Sequence, residues 1–236
     1  MMIVKIDNVY KSYNKNLVIK GISIDIEKGE RVVILGPSGC GKSTLLRMIA
    51  GFIHPDKGRL IIDGRIVADN GKCVIGPENR HVGMVFQDLA LWPHMSSYKN
   101  LEFGLKAKNI PKMERRKHID EIFEKVQMDR FKNVHPGELS GGQQQRIALA
   151  RALVMRPTIL LMDEPLSSLD TDLRQVLEME ILRLQEEFAI TMIYVTHNRE
   201  EAFSLATRIV VMEGGMIQKT GTVKEISEYI YNASHK

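Results

Sequence analysis

The chain has 236 residues, enough for one large domain or one domain with a modest insertion. Hydrophobic residues make up 44% and charged residues 26%, the balance of a soluble globular protein with a core rather than of a disordered chain. Net charge is +4 and the bases are interleaved with acids, so no nucleic-acid surface is expected: the densest basic run (Lys112, Arg115, Arg116, Lys117, His118) leads straight into Asp120, Glu121 and Glu124 and reads as a solvated helix face.

In chain order, Ile3, Ile6 and Val9, then Val18, Ile22, Ile24 and Ile26 in period-two alternation, predict N-terminal strands. Arg31–Leu35 is a short apolar run suited to a strand buried on both faces. It enters Gly36-Pro37-Ser38-Gly39-Cys40-Gly41-Lys42-Ser43-Thr44, after which Leu45–Ala50 reads as helix. Short strands follow at Leu60–Ile62, Arg65–Val67 and Val82–Phe86, the last ending at Gln87. From Ser97 to Val134 the periodicity is helical and the charge density high, as in an inserted helical subdomain. Leu139-Ser140-Gly141-Gly142-Gln143 opens a further helix, which Pro157 stops. Ile159–Met162 predicts a buried strand ending in Asp163-Glu164. Leu173–Phe188 predicts a helix with Val176, Met179, Ile181, Leu182 and Leu184 mostly on one face. Ile190–Val195 predicts a strand ending in Thr196-His197. A short helix (Glu200–Leu205), strands at Arg208–Met212 and Met216–Thr220 and a helix at Val223–Ile230 complete the pattern.

Strands alternating with helices predict an α/β fold with a mainly parallel core sheet, an N-terminal antiparallel β subdomain and an inserted α-helical subdomain. In such sheets ligands sit at the carboxyl ends of strands, where Gln87, Asp163, Glu164 and His197 all fall. No apolar run is long enough to cross a bilayer and Met1–Asp7 carries no signal-peptide pattern, so a cytoplasmic protein is expected; any membrane span must come from another subunit.

Three motifs carry chemistry. Gly36-x-x-x-x-Gly41-Lys42-Ser43, between strand and helix, is a P-loop: its backbone N–H groups and the helix dipole suit nucleotide phosphates, and MgATP is the expected ligand. Lys42 would neutralise β/γ-phosphate charge and the Ser43 hydroxyl would ligate Mg²⁺. Asp163 would hold the same ion, and Glu164 is placed to polarise the attacking water. Ser140 with Gly141 and Gly142 makes a second helix N-terminus fit for phosphate, although the same residues suit a plain N-cap. Two such ends exceed the needs of one nucleotide; a head-to-tail pair of chains resolves this, each Ser140 end covering the other chain's loop.

With these residues in view, the chain resembles the nucleotide-binding subunit of an ABC transporter along nearly its whole length. Gly36–Thr44 matches the Walker A loop, Ile159–Glu164 Walker B with its catalytic glutamate, and Leu139–Gln143 the family's signature motif. The resemblance implies that Tyr13 stacks on adenine, with Tyr10 as its rival. It further implies that Gln87 contacts Mg²⁺ and the attacking water, that Asp170 in Ser168-Leu169-Asp170 lies at the dimer seam, and that His197 contacts the γ-phosphate. It implies an ABC ATPase domain with the helical subdomain at about 88–156, peripheral on the inner face of the cell membrane; relatives of this type often carry a C-terminal regulatory domain, and the expectation for 1–236 is the single ATPase domain without it. Its implied partners are a second copy, permease subunits contacted near Gln87–His94, where Trp92 lies, and a solute-binding protein. The segments Gly83–His94 and Met192–His197 are similar to importer subunits for sugars, polyamines, iron or sulfate. Exporter ATPases and soluble ABC ATPases acting on DNA or ribosomes are the alternatives. The compact span from Gln87 to Ser140 and the single cassette weigh against the soluble ones.

Overall fold

The computed structural model describes residues 1–233; the final residues of the expected domain, Ser234–Lys236, lie outside that range. Its strands are β1 (Met2–Tyr13), β2 (Asn16–Glu27), β3 (Arg31–Leu35), β4 (Lys57–Ile62), β5 (Arg65–Asp69), β6 (Lys72–Cys73), β7 (Val82–Val85), β8 (Ile159–Asp163), β9 (Thr191–Thr196), β10 (Arg208–Glu213) and β11 (Met216–Gly221). Its helices are α1 (Lys42–Ala50), α2 (Ser97–Ala107), α3 (Lys112–Lys125), α4 (Gly141–Leu153), α5 (Thr171–Glu187), α6 (Arg199–Leu205) and α7 (Val223–Ala233).

The strands form two sheets. One is antiparallel, in the order β2-β1-β4-β5-β6; the other runs β11-β10-β3-β9-β8-β7. In the second, every pairing from β10 to β7 is parallel and only β11 is antiparallel. The short apolar runs read from the sequence are the four central parallel strands β10, β3, β9 and β8, and period two explains why their middle residues are apolar on both faces. On β3, Val33 and Leu35 face one core while Val32 and Ile34 face the other; on β9, Met192 and Tyr194 part from Ile193 and Val195 in the same way. Leu45, Leu46, Met48 and Ile49 of α1 are buried in the core shared with the antiparallel sheet. Each such side chain is worth about 1.5–3 kcal/mol when fully buried, so α1, and the loop at its N-terminus, is locked between the sheets. Helices α2, α3 and α4 pack into the opposite core through Leu101, Leu105, Ile119, Phe123, Ile147 and Leu153.

Two details depart from the sequence reading. On α5, Val176 and Met179 are 54% and 68% exposed, while Glu178, Glu180 and Gln185 are buried beside Leu177, Ile181 and Leu184. The buried polar groups meet partners from other elements: Arg146 reaches Glu180 at 2.9 Å, and Gln185 donates to the Ile190 carbonyl at 2.6 Å. A periodicity argument counts only apolar residues and cannot see partners supplied from elsewhere. Secondly, Arg80, which no motif marks, is 1% exposed. Its guanidinium donates to the carbonyls of Met48, Ile49, Val67 and Ile75, tying the end of α1 to the antiparallel sheet.

Candidate nucleotide site

The loop Gly36–Gly41 bridges β3 and α1, and its shape follows from two glycines. A Cβ on Gly36 would stand 2.1 Å from the Met212 carbonyl oxygen, so no side chain fits there. Gly41 has φ +103°, which L side chains rarely adopt, and it turns the chain into the helix. Cys40 is buried between them, and burial pushes its thiol pKa up. The Lys42 side chain curls back: Nζ donates to the carbonyls of Gly36 (2.8 Å) and Pro37 (3.0 Å) and lies 3.5 Å from Glu164 Oε1.

The neighbouring parallel strands deliver the remaining groups to the same edge. β8 ends on Asp163, whose Oδ1 accepts from Ser43 Oγ at 2.6 Å. The next residue, Glu164, has φ +46°, uncommon for a non-glycine. It is held there by its N–H on the Val195 carbonyl (3.0 Å) and by Ser167 Oγ on its own carbonyl (2.9 Å). β9 ends on Thr196, and His197 Nδ1 then lies 2.7 Å from Glu164 Oε2. A cleft of about 270 Å³ is lined by Ser38, Gly39, Gly41, Lys42, Ser43, Thr44, Gln87, Glu164 and also Val18. Val18 was visible in the sequence only as a strand residue; its carbonyl abuts Gly41, a contact between distant parts of the chain that no motif encodes.

Ser140, Gly142, Asp170 and Tyr13, all of the expected nucleotide set but outside the loop, are not among the residues that line this cleft. Ser140 caps α4, accepting from Gln143 N (3.4 Å) while its own N–H donates to Gln143 Oε1 (2.9 Å). Gly142 packs against Leu173 and Gly141 against Leu169. Asp170 caps α5 by accepting from Leu173 N (2.9 Å). Ser140, Gly142 and Asp170 therefore share one patch formed by the starts of α4 and α5. Tyr13, at the tip of the β1–β2 hairpin, is also outside the cleft lining; it is 43% exposed and Lys11 Nζ lies 5.8 Å from its ring centroid.

Beyond Gln87, the segment from Leu89 to Met95 is fixed by two residues that the sequence did not single out. Asn100 accepts from Trp92 N and donates to the carbonyls of Trp92, Met95 and Ser96. Arg151 donates to the Leu89 carbonyl (2.7 Å) and stacks on the Trp92 ring, which also meets Phe103 at 4.6 Å.

A glycine loop between a parallel strand and a helix, with lysine, aspartate and glutamate converging on it, defines a P-loop nucleotide hydrolase. The ABC transporter family profile matches residues 19–167, and the chain belongs to that family. It is 48% identical to the spermidine/putrescine import ATP-binding protein PotA of Bacillus thuringiensis over 95% of this chain and 67% of PotA. It is 47% identical to the Fe(3+) ions import ATP-binding protein FbpC of Fusobacterium nucleatum over 94% of this chain and 59% of FbpC. In structure it resembles cbiO1 of Clostridium perfringens, part of the transporter complex cbiONQ, with a TM-score of 0.87 at 31% identity over 96% of this chain and 91% of that one. It also resembles the cassette MJ0796, a dimer in a post-hydrolysis state bound to ADP and Pi, with a TM-score of 0.82 at 34% identity over 93% of this chain and 98% of that one. The chain is an ATP-binding, ATP-hydrolysing cassette of this family.

Proposed function

We propose that this cassette is the ATPase subunit of a solute importer and that it works as a pair of copies. The observation that carries the reading is the Glu164 carboxylate, set beside the phosphate loop between Lys42 and His197. The loop N–H groups from Ser38 to Thr44 receive the phosphates, and Lys42 exchanges its contacts with the loop carbonyls for phosphate oxygens. Ser43 and Asp163 present a hydroxyl and a carboxylate oxygen 2.6 Å apart, hard donors of the kind Mg²⁺ takes alongside substrate phosphates. With Gln87 these two residues would hold Mg²⁺, which would supply neutralisation of phosphate charge. Glu164 orients the attacking water and accepts its proton, and His197 fixes the carboxylate through Nδ1 and reaches the γ-phosphate. Tyr13 stacks on adenine.

Ser140, Gly142 and Asp170 serve the loop of a second copy in a head-to-tail dimer, and the dimeric state of MJ0796 supports that arrangement. Hydrolysis then removes the phosphate that joins the halves, so the pair switches between closed and open states. The rigid segment Gln87–His94, with Trp92 partly exposed on it, passes this motion to permease subunits. No helix among the described residues is long and apolar enough to cross a membrane; in this reading the cassette sits on the inner face, held there by its permease partners. The names of PotA and FbpC support import; they carry different solutes at nearly equal identity, so neither solute is carried over to this chain. A solute-binding protein would feed the permease. The test is uptake into proteoliposomes carrying the cassette with the permease encoded beside it: ATP-dependent uptake is expected and is lost with Glu164→Gln. ATP turnover with no coupling to any membrane partner overturns the importer reading.

A further inference from the structure

Behind the catalytic edge lies a closed circuit of contacts. Glu201 on α6 is 2% exposed. Its Oε2 accepts from Thr196 Oγ1 (2.7 Å) and from Tyr194 Oη (3.0 Å). Thr196 Oγ1 in turn accepts from Asn198 N (2.9 Å), so the turn carrying His197 is held on both sides of that residue. On the other side of Glu201, Oε1 is ion-paired with Arg174 Nε at 3.5 Å. That distance is too long for a hydrogen bond, and Nε has no other partner. Arg174 Nη2 donates to the carbonyl of Leu169 (2.9 Å), the residue before Asp170. The circuit closes through the chain from Leu169 back to Glu164, whose carboxylate meets His197 at 2.7 Å.

We propose that Arg174 and Glu201 are positioning residues that lock the His197 turn to the Leu169–Asp170 turn, so that the Glu164–His197 pair and the dimer-facing Asp170 move as one unit. This rests on the reading of Glu164 and His197 as the hydrolytic pair. Neither Arg174 nor Glu201 lines the phosphate cleft, so ATP binding to the single chain is independent of them. Their charges are needed together: with Glu201 buried, removal of either partner leaves the other uncompensated.

The test uses the full chain with Arg174→Ala, Glu201→Gln and the double variant, beside Glu164→Gln and His197→Ala. For the folded positioning variants kcat is expected to fall about tenfold, equivalent to about 1.4 kcal/mol, with ATP affinity within about twofold of the parent. The double variant is expected to match the singles rather than multiply them. ATP-driven dimerisation in a Glu164→Gln background should weaken when Arg174→Ala is added. A stability role alone would lower the melting temperature and leave kcat per folded molecule intact, which overturns the inference. So does a loss of ATP affinity that parallels kcat, or additive single effects. Full turnover in both Glu164→Gln and His197→Ala overturns the underlying reading and the inference with it; their loss of turnover beside unchanged kcat in the Arg174 and Glu201 variants overturns the inference alone. If Glu201→Gln fails to fold, Thr196→Val, which cuts the same circuit at nearly constant shape, carries the same expectations.

Discussion

The phosphate cleft and the patch at the starts of α4 and α5 are both helix N-termini rich in glycine, yet they are built differently. At the cleft, groups from three neighbouring strand ends compensate one another: Lys42 with the loop carbonyls, Ser43 with Asp163, Glu164 with His197. At the patch, each polar group is satisfied within its own helix: Ser140 by Gln143, Asp170 by Leu173. The first arrangement gathers charges that only a ligand can use fully. The second is an ordinary pair of caps until another chain meets it. The contrast teaches that one chain holds a complete chemical half-site and an inert-looking recognition half-site, and it predicts that damage to the two will differ in kind.

The largest effect is expected at the cleft. Lys42→Ala removes a buried ammonium facing the phosphates and leaves Glu164 without its cation; ATP affinity, read with a fluorescent nucleotide, should fall by about 100-fold, or about 2.8 kcal/mol. Retained affinity would break the comparison at its root. Glu164→Gln should act on chemistry alone. Turnover is expected to drop by about 10²–10⁴-fold, while ATP still binds and a stable dimer elutes ahead of the monomer on gel filtration.

Damage to the patch should leave nucleotide binding by a single chain intact. Ser140→Ala is expected to leave monomer affinity for ATP unchanged, to cost about 0.5–2 kcal/mol of stability from the lost cap, and to cut turnover by about tenfold or more, the size of a lost charge-stabilising donor. Mixing supplies the sharper measurement. A Ser140→Ala chain paired with a Lys42→Ala chain forms one doubly damaged site and one intact site, so the mixture should regain turnover that neither variant shows alone. No recovery in the mixture would mean that Ser140 serves its own chain.

This difference also decides what could be read from the sequence. The P-loop and the Asp163–Glu164 strand end were legible because their spacing is local and their chemistry demands those residue types. The central strands were legible because burial on both faces requires unbroken apolar runs. Tertiary pairings were not. Arg80 looked like any surface arginine until its four carbonyl partners assembled from separate elements. Asn100 and Arg151, which stiffen the segment around Trp92, carry no local signature either. Val176 and Met179 suggested a buried stripe, whereas the buried face of α5 is completed by Glu178, Glu180 and Gln185, whose partners arrive from α4, α6 and Ile190 just before β9. The positions of Ser140 and Asp170 as caps were readable from local pattern; their assignment to a second chain rested on the surplus of phosphate-fitting helix ends and on the family resemblance.

The smallest effect concerns Cys40, within the loop itself. Burial raises its thiol pKa, with Lys42 opposing the shift only partly, so the neutral thiol persists to higher pH than in an ordinary cysteine. The sign for stability follows: the contribution is fully present below the ordinary thiol pKa and fades as pH rises through the raised folded value, because the unfolded chain ionises first. Alkylation at Cys40 should therefore lag behind that at exposed Cys73 near neutral pH and accelerate only in alkaline solution. Peptide mapping by mass spectrometry at stepped pH reads both sites in one sample. Saturating ATP should slow Cys40 further and leave Cys73 unaffected, since only Cys40 lies inside the phosphate loop, and a bulky adduct at Cys40 should block nucleotide binding. Equal rates at the two cysteines, or unchanged ATP affinity after modification of Cys40, would show that the loop is looser than the close approach of Gly36 to Met212 requires.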